Sequence, residues 1–403
     1  MNKYIVKSFI MNDGTRSCQI THSNLVPVVY PNLYLVSEMV NEKYTFSTRL
    51  AVAKVITMLL DFFEKRKIDL EKAINDKCFL AKEDIKDIIK YMTKRKANGN
   101  IYGLNNREVS SGAKCYRIKV AFRYIRWLCE YLIGSEAHID SQAIFFLRML
   151  NGHTPRKKIA DTYYMGDGKA IDSTQKKALF RYVGANSSSN IYSENVRKRN
   201  ELIIILLYSL GIRKGELLNL RVSDVDFEKH TISIIKRHGD KFDCRVNQPV
   251  VKTSSRKMKV SEWVIGKIID YIQTERRNYI SKKPHDFLII SHRGGKLAGL
   301  PMSVSSYEKT IQKIREHNPI LKEFSGHSLR HTWNYEFSMK IENLKTSLNG
   351  LSLELIRAYA MGWTTNSQMS NVYNSTYVLK QANRILSLVQ DSIQNELKGL
   401  VNE

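Results

Sequence analysis

Four short stretches in the second half of this 403-residue sequence gather side chains able to hold anions or move protons. In Leu210–Leu220, Arg213 follows the turn residue Gly211 and opens a helix. Glu216 lies one helical turn further on, placed to hold that guanidinium. In Val251–Val260, Lys252 precedes a basic turn between strands. In Gly326–Thr332, His327 and Arg330 are spaced i, i+3, so both leave one face of a helix start, where a bound phosphate is favoured. The fourth stretch holds Gly362-Trp363 and is followed by Asn371-Val372-Tyr373-Asn374. Singly, these are a surface ion pair, a solvated hairpin, a common H-x-x-R and a loop aromatic.

Hydrophobic spacing shows which elements must carry them. Helices are predicted over Val196–Leu210 and Lys214–Leu220, and strands over Thr231–Ile235, Asp243–Val246 and Lys257–Val260. Further helices follow near Glu262–Tyr279, Ser303–Glu316, His327–Met339 and Leu353–Met361. A last helix, Tyr377–Leu397, carries Val378, Ala382, Ile385, Leu386, Val389 and Ile393 on one stripe, to dock on a neighbouring copy or to pack on its own domain. Residues 195–403 thus read as a mostly helical domain with a small three-stranded antiparallel sheet.

The first half is organised differently. Tyr4-Ile5-Val6 and Cys18–Thr21 flank a hairpin-turn signal, Asn12-Asp13-Gly14. Residues 1–40 therefore form a small β-rich segment, either an arm or a strand pair packed on the next domain. Residues 41–150 are helical. Val52, Val55, Ile56, Leu59, Phe62 and Phe63 make one apolar stripe; Ile118, Phe122, Ile125, Cys129 and Leu132 make another on a helix over Ala113–Leu132. Lys119, Arg123 and Arg126 share a different face of that helix, a ridge for DNA phosphates or a merely solvated surface. Glycine, serine and proline punctuate residues 151–194, a linker holding the first helix of the next domain.

Composition narrows the partners. Lys plus Arg number 64 against 39 Asp plus Glu, a net charge of +25, so the chain attracts nucleic acid or an acidic membrane surface. The longest greasy run, Leu202–Leu210, falls far short of the ~20 residues that cross a bilayer, leaving nucleic acid as the better partner. The 5 cysteines are scattered, with no C-x-x-C pair, which fits a reducing cytosol rather than a disulfide framework or a zinc site. Neither a phosphate-binding glycine loop nor a carboxylate cluster suited to Mg²⁺ is visible.

Arg with Glu three later, a lysine in a β-turn, H-x-L-R-H, then G-W and a downstream tyrosine: this ordered set resembles the tyrosine recombinase (phage integrase) family, over roughly residues 195–390. The resemblance implies a mainly α fold in which a helical core-binding domain and the catalytic domain close on duplex DNA as a C-shaped clamp. It implies a site-specific integrase or recombinase that cuts and rejoins DNA through a 3′-phosphotyrosyl bond. Arg213 and Arg330 would stabilise the charge on the phosphate, since two forked, permanent cations suit it. Tyr373 would be the nucleophile, Lys252 the general acid and His327 the partner of the tyrosine proton. Trp363 would donate one hydrogen bond and pack that segment, without shuttling a proton. Tyr373 lies one residue beyond the family spacing from Trp363, so Tyr377 stays open as the nucleophile; Lys236, Lys241, Lys257 and Lys259 stay open beside Lys252. The resemblance further implies no metal or nucleotide cofactor, a homo-tetramer on paired DNA sites, a possible accessory DNA-bending or directionality factor, and a prokaryotic cytosol at the nucleoid. A type IB topoisomerase and a non-catalytic DNA-binding protein on the same scaffold are the alternatives.

Overall fold

The computed structural model describes residues 3–40, 44–78, 82–94, 108–134, 141–152, 170–237, 239–280, 285–344, 353–362 and 375–402. The chain divides into two compact units that part near residue 160.

In the first unit, β1 (Tyr4–Ile10) and β2 (Arg16–His22) pair antiparallel, Ile10 opposite Arg16. Alternation turns Cys18 and Ile20 inward, and Ile20 is fully buried. Among the described residues the α-helices that follow are α1 (Val29–Tyr34), α2 (Phe46–Arg66), α3 (Leu70–Asn75), α4 (Lys82–Thr93), α5 (Ser111–Ile133) and α6 (Ser141–Gly152). The α2 stripe from Val52 to Phe63 is buried, and α5 sets Ile118, Ile125 and Cys129 into the same core. Phe122 and Leu132 are partly buried against it. Cys18, Ile20, Tyr34 and Leu35 belong to that core too, so no packing boundary separates residues 1–40 from 41–150. Lys119, Arg123 and Arg126 are exposed on α5. Arg126 Nε donates to Glu130 Oε1 at 2.8 Å, one turn on, so part of the ridge is already neutralised.

The second unit is built round one helix. Its elements are α7 (Ser173–Val183), α8 (Arg197–Leu210), α9 (Lys214–Leu217), β3 (Val225–Asp226), β4 (Thr231–Ile234), β5 (Arg256–Lys259), α10 (Glu262–Tyr271), α11 (Val304–His317), α12 (Gly326–Leu344), α13 (Leu353–Met361) and α14 (Ser375–Asn402). Every residue of α8 from Arg199 to Leu210 is buried, which accounts for the greasy run: a helix apolar all round sits at the centre of its domain. Among the described residues no helix is long and apolar enough to cross a membrane.

The fold corrects two sequence expectations. The antiparallel sheet has the order β3-β4-β5, with Val225 opposite Ile232 and Ile234 opposite Arg256. Asp243–Val246 is not one of its strands. Asp243 Oδ1 accepts the main-chain N–H of Arg245 at 3.0 Å, and the two side chains pair fork to fork at 2.8 Å, both buried. A strand cannot give up that N–H and still serve a ladder. The second correction concerns the final helix. Ile385, Leu386, Val389, Ile393 and Leu397 of α14 are buried in the core of their own unit, so that stretch of the stripe is not left over for a neighbour. Val378 and Ala382 lie outside the described side chains. A polar cluster also holds α14: Lys176 Nζ is 2.5 Å from Glu336 Oε1 and 2.9 Å from Glu396 Oε1, and the Tyr208 hydroxyl is 2.7 Å from each carboxylate.

Candidate active site

Helix α8 stops at Gly211, whose φ of +60° is left-handed. A Cβ there would lie 2.8 Å from Trp333 Cδ2, so the turn needs glycine twice over. The chain then reverses through Ile212, fully buried, and presents Arg213 at the head of α9. Arg213 is half-buried, and its Nη1 is buried with no hydrogen-bond partner among the described residues.

Arg330 reaches the same turn from another element. Ser325 caps α12, its Oγ accepting Ser328 N–H at 3.1 Å. Arg330 follows in the first turns, 5% exposed, and takes main-chain carbonyls with both arms: Nη1 to Gly211 O at 2.7 Å and Nη2 to Met361 O at 2.9 Å. It therefore ties the Gly211 turn to the end of α13. Burial first, then repulsion from Arg213, lowers its guanidinium to about 10; Arg256 adds to this and Glu216 opposes it. It is still charged at neutral pH, and the two cations are close enough to repel.

His327 stands one turn before Arg330, exposed, with its ring edge-on to His331 at 4.6 Å. Lys252 is exposed, between Val251 and Thr253, which are 2% and 5% exposed. The turn after it docks on the α13 end, where Ser254 N–H donates to Gly362 O at 3.0 Å. The other lysines left open differ: Lys259 Nζ donates to Lys229 O at 2.7 Å, and Lys241 Nζ lies 5.3 Å from the Phe242 ring centre, while Lys236 and Lys257 are exposed. Trp363 and Tyr373 lie outside the described residues. Tyr377 falls in α14, but its side chain is outside them too.

Glu216 departs from the expectation that it holds the Arg213 guanidinium. Its Oε2 accepts the main-chain N–H of Arg213 at 2.7 Å, and its carboxylate pairs with Arg256, Nη1 to Oε1 at 3.0 Å. The i, i+3 spacing brings Glu216 back to the helix head, where the nearest donor is the main chain. Burial pushes this carboxyl up, but Arg256, Thr253 and the Arg213 N–H together hold it below the usual carboxylate range. Arg256 and Thr253 were not among the site residues expected from sequence. The available signal was alternation: Arg256 and Met258 share the buried face of β5, and a buried arginine demands an acceptor.

Residues 181–377 match the model of the phage integrase family. Residues 181–377 are thus similar to the phage integrase, or tyrosine recombinase, family. Transposase A from transposon Tn554 of Staphylococcus aureus is 30% identical over 158 residues, 39% of this chain and 41% of its own length. Tyrosine recombinase XerS of Streptococcus pyogenes is 22% identical over 268 residues, 63% of this chain and 67% of its own. Among solved structures, the Tn1549 transposon integrase in complex with circular intermediate DNA is similar at 16% identity and a TM-score of 0.45, covering 87% of this chain and 94% of that one. This chain thus spans less than half of the Tn554 transposase it matches. The recombinase domain contains Arg213, Lys252, His327, Arg330, Trp363 and Tyr373.

Proposed function

We propose that the chain is a site-specific DNA recombinase of the integrase kind, acting on double-stranded DNA for a mobile element. Tyr373 attacks a phosphodiester, the Tyr O–P bond forms, and the 5′-oxygen leaves with a proton from Lys252. Arg213 and Arg330 stabilise the extra charge on the non-bridging oxygens. His327 takes or bonds the phenol proton, and Trp363 donates one hydrogen bond. The phosphotyrosyl bond conserves the energy of the bond it replaces, so a DNA 5′-hydroxyl can reverse the step. Four copies would act on paired DNA sites, with an accessory bending or directionality factor, in a prokaryotic cytosol at the nucleoid.

What supports this function best is a pair of cations, Arg213 and Arg330, neither of which is salt-bridged to a carboxylate among the described residues. Arg330 is spread between two carbonyls and repelled by Arg213, whose buried Nη1 has no partner among the described residues. A group with several anionic oxygens relieves both conditions at once.

The test is a nicked suicide duplex carrying a cognate site, which traps the covalent intermediate. The expected result is a protein–DNA adduct that Tyr373→Phe abolishes. Loss of the adduct in Tyr377→Phe alone would move the nucleophile to Tyr377. No adduct from the unaltered protein would leave a non-catalytic DNA-binding protein. Relaxation of supercoiled plasmid lacking any cognate site would indicate a type IB topoisomerase instead.

A further inference from the structure

We propose that Arg256 is a positioning residue, which locks the turn carrying Lys252 to the Arg213 turn and to the end of α13, and so sets the lysine against the leaving oxygen. The proposal rests on Lys252 being the general acid.

Arg256 starts on the inner face of β5, and its side chain is 1% exposed. It makes three kinds of contact in three directions. Nη1 and Nη2 face Glu216 at 3.0 and 3.3 Å. Nε donates to Ala360 O at 2.9 Å, near the last turn of α13. Nη1 also lies 3.3 Å from Thr253 Oγ1, beside Lys252 in sequence, and the Thr253 hydroxyl in turn bonds Glu216. Glu216 in its turn fixes the Arg213 main chain. Gly362 leaves room for the lock: its φ is +63°, and a Cβ there would lie 2.6 Å from Arg256 Nη1 and 2.8 Å from Thr253 Cβ.

One planar cation thus joins the backbones that carry Arg213, Lys252 and Met361, the last of which also anchors Arg330. A lysine could not reproduce the fork and the third bond together. Buried ion pairs add little net stability but fix geometry well, and this one is spent where three chain segments must keep register. The Lys252 side chain itself is exposed, so the lock sets its backbone and leaves its ammonium group to reach.

The experiment separates leaving-group protonation from everything else. Single-turnover cleavage is measured on the suicide duplex with the ordinary 5′-oxygen, and on one in which sulfur bridges at the same position. With oxygen, the P–O bond breaks and the alkoxide takes the proton of an ammonium group. With sulfur, the P–S bond breaks and a thiolate departs needing no proton. Lys252→Ala should be slow on oxygen, by roughly 10²-fold or more, and restored on sulfur. Arg256→Met should repeat that pattern, with at least a ~10-fold loss on oxygen and recovery on sulfur. Equal loss on both substrates would overturn the proposal, since Arg256 would then support the site as a whole. Failure of Lys252→Ala to recover on sulfur would instead refute the general-acid role. If Arg256→Met does not fold, Thr253→Val decides: it keeps the ion pair and removes the hydroxyl bridge. Slow cleavage on oxygen with recovery on sulfur supports the lock; unchanged cleavage on both overturns it.

Discussion

Replacing Gly211 with alanine should unsettle the second unit and the Arg330 anchor together. The residue sits at φ +60°, where a side chain costs about 1–2 kcal/mol. The new Cβ would also meet three atoms of the buried Trp333 ring at 2.8 to 3.0 Å, and overpacking of that kind costs about 1–3 kcal/mol. Together the loss is about 2–5 kcal/mol, or about 4–20 °C in melting temperature for a unit of this size. Differential scanning calorimetry measures it, with Gly266→Ala as the internal control. Gly266 is an exposed interior position of α10 with nothing within 4 Å of a Cβ, so alanine there should raise stability by about 0.5–1 kcal/mol. In a double-mutant cycle, Trp333→Phe should return at least ~0.5 kcal/mol of the Gly211→Ala loss by withdrawing ring atoms from the new methyl group. A Gly211→Ala protein that melts with the unaltered one, beside a stabilised Gly266→Ala, would show that neither the backbone conformation nor the Trp333 contact constrains this turn.

Other measurements probe the charges. Lys176→Met should cost about 3 kcal/mol near pH 8 and clearly less near pH 5. Burial, aided by repulsion from Glu396, already raises the Glu336 carboxyl against the pull of Lys176 and Tyr208. Removing the lysine raises it further, so the folded state loses stability as pH climbs from the ordinary carboxylate value through the raised one. Urea titrations at the two pH values check this, and an equal loss at both would contradict it. Orthovanadate at about ten times its dissociation constant should stabilise the protein by about 1.4 kcal/mol, by binding between Arg213 and Arg330. An equal shift in Arg213→Gln would place the anion elsewhere. On α5, Arg123→Glu should weaken DNA binding and lower the salt slope by about 1, whereas Arg126→Glu, already paired with Glu130, should do less. Anisotropy titrations over a salt series decide, and an unchanged slope for Arg123→Glu would remove the ridge from the DNA surface.

Periodic elements were legible in the sequence; contacts between distant segments were not. The ends of α8 and α13 follow from Gly211 and Gly362, and the α2 stripe from simple spacing. The sheet was misread at one strand because Asp243 and Arg245 alternate as a strand would, while their mutual pairing, invisible to a pattern, bends the chain away. Glu216 was found, but its partner was assigned by nearness in sequence, and the ion pair it makes is 40 residues away. Arg256 was passed over because its strand was expected to begin one residue later, which leaves it in a solvated turn. A stripe on α14 could be counted, but whether self or neighbour covers it depends on three-dimensional packing alone.

Arg330 grips main-chain oxygens at Gly211 and Met361 rather than side chains. Mutation can alter what hangs from a chain far more readily than the route the chain takes. The grip is therefore insulated from drift at Met361, whose own side chain could be exchanged for another of similar bulk without touching it. Homologues can diverge widely around this arginine and still inherit its cradle, provided they trace the same path.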